Sequence, residues 1–200
     1  MIKVVTVSRQ YGAGGHLFAK LLAKELNVPL YDRQLIHVAA AQLLAGNGVL
    51  TKEELIKIEA EVPPLGLNFM EFFNFGIRGS KPLNTQIFEA ESAVIAKLYD
   101  QERCVILGRC ADFVLHDKAD VLKVFVHASD PWRQQYALDH YTGKPLFMLK
   151  DEDKKRAAYY SHYTRQTFGD PDNFDVVLKA DSAATGDLAR AMAAYVKSFD

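Results

Sequence analysis

Cysteine is scarce in this chain. Its two cysteines, Cys104 and Cys110, are too few for a disulfide framework or a four-ligand zinc site, so reduced thiols are expected. No apolar run approaches the length of a membrane span, and Met1-Ile2-Lys3 leads straight into a strand pattern without a signal-peptide core. A soluble, cytoplasmic protein is the expectation. Charge of one sign is lacking as well: 24 Lys and Arg stand against 25 Asp and Glu, for a net charge of −1. That balance points away from nucleic acid and membrane and toward small anions held in a local basic pocket. The six histidines show no H-E-x-x-H or other ligand spacing, and no G-x-S-x-G elbow occurs. Zinc hydrolysis and serine-nucleophile chemistry are therefore disfavoured, and no metal ligands are assigned. Internal repeats and low-complexity tracts are absent too.

What is present begins near the N-terminus. Ile2 to Val7 is an apolar strand pattern, Ser8-Arg9-Gln10-Tyr11-Gly12-Ala13-Gly14-Gly15-His16 leads through a glycine-rich turn, and Leu17, Leu21, Leu22 and Leu26 mark a helix. Strand, glycine turn and helix in that order seat an anion on unpaired amide groups at the positive end of a helix dipole. The bland alternative is a tight turn that lets strand and helix pack closely. The usual nucleotide-binding pattern, G-x-x-x-x-G-K-[ST], would put lysine at 15 and a hydroxyl at 16. Here Gly15 and His16 stand there, and Arg9 opens the loop as a fixed cation.

With 200 residues, 49% of them hydrophobic, the chain is expected to form one domain around a sizeable core. Further apolar runs at Cys104 to Leu107, Val121 to Val126 and Phe174 to Leu178, with a short one near Pro29-Leu30-Tyr31, alternate with helical patterns. Ile87, Ala90, Val94 and Leu98 mark a long helix, and Asp187 to Tyr195 reads as a closing one. Strands separated by helices predict a parallel sheet. Two stretches fall outside the alternation. One, about Ala45 to Lys81, carries Gly46, Gly48, Pro63, Pro64, Gly66, Gly76, Gly79 and the rings of Phe69, Phe72, Phe73 and Phe75; those rings are expected to pack the insert or a subunit contact. The other, Lys150 to Arg165, is dense in charge.

Three further groups of residues suit phosphate chemistry. Arg109 follows the strand Val105-Ile106-Leu107-Gly108, and ligands of open α/β sheets bind at such strand ends. Its planar fork matches a phosphate; the bland reading pairs it with Asp112. In Asp153-Lys154-Lys155-Arg156, Asp153 and Arg156 are spaced as a surface i, i+3 pair. The sharper reading is a lid helix that brings Lys155, Arg156 and Arg165 over transferring phosphates. Asp32 suits a helix cap and Arg33 an acceptor phosphate.

Ser8-Arg9-Gln10-Tyr11-Gly12-Ala13-Gly14-Gly15, Tyr31-Asp32-Arg33, Leu107-Gly108-Arg109-Cys110-Ala111-Asp112, Asp153-Lys154-Lys155-Arg156-Ala157-Ala158-Tyr159-Tyr160 and Phe168-Gly169-Asp170-Pro171-Asp172-Asn173-Phe174-Asp175 together resemble the bacterial cytidylate kinase-like family. The resemblance implies a three-layer α/β P-loop kinase-like fold spanning 1–200, with a parallel five-stranded sheet, a helical insert at about 45–81 and a lid at about 143–168. It implies ATP and Mg2+ as cosubstrates. By position, Gly12, Gly14 and Gly15 form the donor-phosphate loop, Arg109 clamps the acceptor phosphate and Arg156 serves in the lid. The full expected cradle is Ser8, Gln10, Tyr11, Gly12, Ala13, Gly14, Gly15 and His16, with Arg9, Arg109 and Arg156 catalytic and Asp32, Arg33, Arg109, Asp112 and Asp153 on the substrate side.

The family's phosphate-loop lysine is replaced by Gly15, and Leu107 occupies the place of an aspartate that helps recognise the acceptor. Arg9 or a lid arginine is expected to supply the missing charge. The activity expected is phosphoryl transfer from ATP to a nucleoside monophosphate, CMP or dCMP first, with nucleotides as the partners and a homodimer through the aromatic insert. Two alternatives stand beside it: a nucleotide-binding or regulatory protein with weak catalysis, and a kinase for another small acceptor.

Overall fold

The computed structural model describes residues 1–44, 83–141 and 144–200. The expected insert at about 45–81, its phenylalanine cluster and the first residue of the expected lid lie outside them. The chain divides into two compact units, one of Met1–Leu30 with Glu102–Asp200 and one of Tyr31–Gln101.

Five strands, β1 (Val4–Arg9), β2 (Leu30–Tyr31), β3 (Cys104–Leu107), β4 (Val121–His127) and β5 (Val176–Lys179), form one sheet in the order β2-β3-β1-β4-β5. The α/β class and the parallel five-stranded sheet expected from the alternating pattern are observed. β1 runs parallel to β3 with Val5 opposite Val105 and Val7 opposite Leu107, and parallel to β4 with Val5 opposite Leu122 and Arg9 opposite Val126. β-branched residues dominate because the central strands are buried on both faces. β1 starts two residues later than the apolar run Ile2 to Val7 and continues through Ser8 and Arg9. Ladder bonds to β4 are made by backbone, so polar side chains do not end the strand.

Helices α1 (Gly15–Leu26) and α7 (Thr185–Lys197) cover one face of this sheet. Phe18, Ala19, Leu22 and Ala23 of α1 and Ala189, Met192, Ala193 and Val196 of α7 share a core with Val5 and Val7. Side chains alternate along a strand, so Thr6 and Ser8 point to the opposite face. That alternation aims the Ser8 hydroxyl toward α4 (Ala111–Val114) and the long helix α6 (Leu146–Thr164). Helix α5 (Asp130–His140) follows β4. Phe174, expected in β5, lies before it and packs on Phe125 with ring centroids 5.0 Å apart.

In the second unit, α2 (Arg33–Leu44) and α3 (Leu83–Gln101) pack together through Ile36, Ala39, Ala40, Ala90, Val94, Ile95 and Leu98. Glu91 is fully buried there and its Oε1 lies 2.6 Å from His37 Nδ1. Asp32 caps α2: its Oδ1 accepts from the amides of Gln34 at 2.9 Å and Leu35 at 3.2 Å. Among the described residues no helix is long and apolar enough to cross a membrane.

The cap carries a prediction. Asp32→Ala should lower stability by about 0.5–2 kcal/mol in urea unfolding, and Asp32→Ser, which keeps an acceptor oxygen, should recover most of that loss.

Candidate phosphate-binding site

The loop after β1 is shaped by two residues with left-handed backbone, Gly12 (φ 79°) and Gly14 (φ 68°), and Gly14 opens α1. A Cβ on Gly12 would lie 3.2 Å from Leu149 of α6, and one on Gly14 would lie 3.1 Å from Trp132 of α5. Backbone and neighbouring helices thus approach more closely than a side chain would allow. Gln10 ties the loop to the end of β4, donating its amide to Val126 O at 3.0 Å and accepting from the Ala128 amide on its side-chain oxygen at 3.3 Å. Ala13 is buried and His16 is exposed on the first turn of α1.

Gly15 has a different neighbour. A Cβ there would sit 2.7 Å from Cβ and 2.8 Å from Cγ of Arg9, and the Arg9 guanidinium continues across to Gly108, where a Cβ would overlap Nη1. The stem of Arg9 therefore fills the space into which a residue-15 side chain would grow. A lysine at 15 and this placement of Arg9 exclude each other.

Gly108, Arg109 and Cys110 form a run of left-handed residues, φ 77°, 57° and 55°. For the two non-glycines that conformation costs roughly 1–2 kcal/mol each. It turns the chain sharply from β3 into α4 and brings the Arg109 guanidinium to 5.8 Å from the Tyr159 ring of α6. Asp112 does not face solvent. Its Oδ1 accepts from Ser8 Oγ at 3.1 Å and its Oδ2 from Tyr160 Oη at 2.7 Å. Burial pushes the Asp112 carboxyl above the usual carboxylate range, opposed by the Tyr160 and Ser8 hydroxyls. Burial and the adjacent Asp112 push the Tyr160 phenol up as well.

Tyr11 is where α5 and α6 meet the loop. Its amide donates to Asp153 Oδ1 at 2.6 Å, its carbonyl accepts from Arg133 Nε at 2.8 Å, and Arg133 is also ion-paired with Asp153. Its ring lies beneath Arg156, 4.9 Å from the guanidinium carbon, and 5.2 Å from Lys144 Nζ, which also bonds the phenolic oxygen at 3.2 Å. Arg156 Nη1 donates to Arg9 O at 3.0 Å. Burial lowers the Arg156 pKa, partly offset by Asp153. The exposed Lys155 instead turns to Glu152 at 2.7 Å, and Arg165 caps α6 in a left-handed conformation. Arg9, Arg109, Arg133, Lys144 and Arg156 thus surround the ends of β1 and β3, while Asp32 and Arg33 stand at the head of α2 in the second unit. Among the described residues no cluster of three or more His, Cys, Asp or Glu could hold a metal ion.

Arg133, Lys144 and the Trp132–Tyr136 stack have no role in the sequence reading, and Tyr160 enters it only within the motif Asp153 to Tyr160. Arg133 had a usable signal: it lies four residues before Ala137 on the buried face of α5, where an arginine demands a partner.

A parallel sheet with a glycine cradle and converging cations at the ends of its central strands defines a P-loop kinase-like fold. The chain belongs to the cytidylate kinase-like family, whose model matches residues 4–182. A search of curated proteins found no match. Among solved structures, an uncharacterized protein from Eubacterium ventriosum ATCC 27560 is 22% identical, covers 99% of each chain and superposes with TM-score 0.72. Shikimate kinase from Acinetobacter baumannii is 13% identical over 100% of this chain and 96% of its own (TM-score 0.52). A gluconokinase from Sinorhizobium meliloti 1021 is 12% identical over 98% and 92% (TM-score 0.51). At such identities these structures show the shared fold; the family supports kinase-type phosphoryl transfer.

Two predictions follow from the geometry. Gly15→Ala should cost about 1–3 kcal/mol of stability through the collision with Arg9, and much less in an Arg9→Ala background, as a double-mutant cycle in urea would read. For Asp112, a folded-state pKa raised by burial contributes stability that is full below the unfolded value, about 3.9, and is lost as pH rises through the folded value. The destabilisation of Asp112→Asn relative to the parent should therefore shrink as pH is raised from about 4 toward neutrality.

Proposed function

We propose that the protein transfers the γ-phosphoryl group of ATP to a nucleoside monophosphate, with CMP and dCMP the first acceptors to test. The observation that carries this reading is the gathering of Arg9, Arg109 and Arg156 around a glycine loop at the end of β1, in a chain whose family model spans residues 4–182. Several guanidinium groups gathered at one place favour an anionic ligand.

Roles follow from placement. The amides around Gly12, Ala13, Gly14 and Gly15, flanked by Ser8, Gln10, Tyr11 and His16, cradle the donor phosphates. Arg9 takes the part of the loop lysine, a reading supported by the exclusion between its stem and any side chain at 15. Arg109 holds the acceptor phosphate, and Arg156 adds charge from α6, the lid helix. Arg33 is proposed for the acceptor side. Asp112 and Asp153 are assigned to holding protein groups, since their oxygens are bonded to Ser8, Tyr160, Tyr11 and Arg133. Transfer breaks the bond from Pγ to the bridging oxygen of the donor and makes one to the acceptor oxygen. The protein's share is position and fixed positive charge.

The glycine cradle suits a polyphosphate. The donor set does not suit a protein-held magnesium, because His16 replaces the usual hydroxyl and no acidic cluster is present among the described residues. Magnesium would arrive on the nucleotide and keep phosphate and water oxygens as ligands.

The test is ADP formation from ATP and Mg2+ against a panel of nucleoside monophosphates, nucleosides and small hydroxyl acceptors. Arg9→Ala and Arg109→Ala should each lower kcat/KM by roughly one to two decades, the worth of a charged hydrogen bond in the transition state. Turnover without any nucleoside monophosphate would select another small acceptor, a reading favoured by the buried Leu107. ATP binding with no turnover would select a regulatory nucleotide-binding protein, which the absent lysine favours.

A further inference from the structure

Between the end of β1 and the glycines lies one residue whose two backbone polar groups are both held by side chains. Tyr11 N–H donates to Asp153 of α6 and Tyr11 C=O accepts from Arg133 of α5, while the two side chains are ion-paired with each other. The arrangement closes a ring: amide, carboxylate, guanidinium, carbonyl. Arg133 is only 3% exposed and Asp153 19%. Arg133 uses Nε for the carbonyl and Nη2 for the carboxylate, and Nη1 lies 3.5 Å from Asp130. A lysine could not serve these points together.

We propose that Arg133 and Asp153 form a positioning pair that grips Tyr11 and holds the phosphate loop in its anion-receiving shape. A strand partner would ordinarily satisfy such N–H and C=O groups, but β1 ends at Arg9 and the loop must curve away. The side-chain pair replaces that partner at the point where the ladder stops. Preorganisation of this kind removes an ordering cost that the ligand would otherwise bear. Arg133 has a second effect. It neutralises a carboxylate that lies against the phosphate loop, so that an incoming polyphosphate meets no uncompensated negative charge.

The two members of the pair are therefore unequal toward an anion. Losing Asp153 loosens the loop and leaves an additional cation; losing Arg133 loosens the loop and leaves a bare carboxylate beside it. The functional part of this inference rests on the phosphate-loop reading above.

The experiment measures calorimetric binding of ATP with Mg2+ to the parent, Arg133→Gln, Asp153→Asn and the double variant, with cooperative unfolding as the folding control. Arg133→Gln should weaken binding roughly tenfold to a hundredfold, as loss of positioning does, and more than Asp153→Asn. The double variant should bind more tightly than Arg133→Gln alone. In turnover the loss should fall on KM for ATP rather than on kcat. Parent affinity in both single variants, or losses that simply add, would overturn the proposal. Should the parent itself fail to bind ATP, the phosphate-loop reading falls, and hydrogen exchange at the Tyr11 amide decides the pair on its own. Slower exchange in the parent than in both single variants would sustain the grip; equal exchange would end it.

Discussion

Two atoms cannot share one place, and at the head of α1 that rule decides what the loop can be. The Arg9 stem passes within 2.7–2.8 Å of where a residue-15 Cβ would stand, and its guanidinium lies over Gly108. Glycine at 15 and glycine at 108 are both conditions for Arg9 to cross from the end of β1 to the end of β3. Once it does, the cation beside the loop comes from the strand rather than from the helix. Arg9 is held at its root by ladder pairing with Val126 and at its carbonyl by Arg156. A charge mounted on a central strand is fixed more firmly than one on a helix's first turn, and preorganised charge is what phosphoryl transfer needs.

The surrounding electrostatics are arranged so that these cations do not destabilise the empty protein. Burial is costly for a guanidinium, as the lowered Arg156 pKa shows. Backbone carbonyls and tyrosine faces help to meet that cost, with Asp153 adding its charge at Arg156. Arg156 has the carbonyl of Arg9 and the ring of Tyr11, Lys144 the same ring and its hydroxyl, and Arg109 the ring of Tyr159. Rings and carbonyls stabilise a cation without neutralising it. Where a carboxylate does appear it is occupied: Asp153 by Arg133 and Tyr11, Asp112 by two hydroxyls.

Much of this could be read before the structure, for identifiable reasons. Fully buried parallel strands produce near-continuous β-branched runs, so β1, β3 and β4 are visible in Val4 to Val7, Cys104 to Leu107 and Val121 to Val126. Left-handed turns favour glycine, so Gly12, Gly14 and Gly108 announce the bends. The long-range polar joints were not legible. Ser8 meets Asp112 across 104 residues and Arg133 meets Tyr11 across 122, and no local spacing encodes such pairs. Local spacing even misdirects: Asp153 lies three residues before Arg156, yet its carboxylate bonds Tyr11 and Arg133, while the neighbouring Lys155 goes to Glu152.

Leu107 shows how the same packing bears on acceptor choice. It lies at the end of β3 in the apolar cluster formed by Val7, Phe18, Ala19 and their neighbours, and it is buried. A carboxylate at that position would be desolvated among methyl groups, a cost of several kcal/mol unless it is paired. The strand can therefore carry leucine or a recognising acid at 107, but not with this core. Acceptor recognition on the proposed reading then falls to side chains outside the core, Arg109 among them. Its left-handed backbone turns it out of the sheet at the next position but one. A guanidinium reads the phosphate and not the base, so a site built on it selects for an anionic group first. Discrimination among nucleosides then has to be supplied by contacts elsewhere on the acceptor.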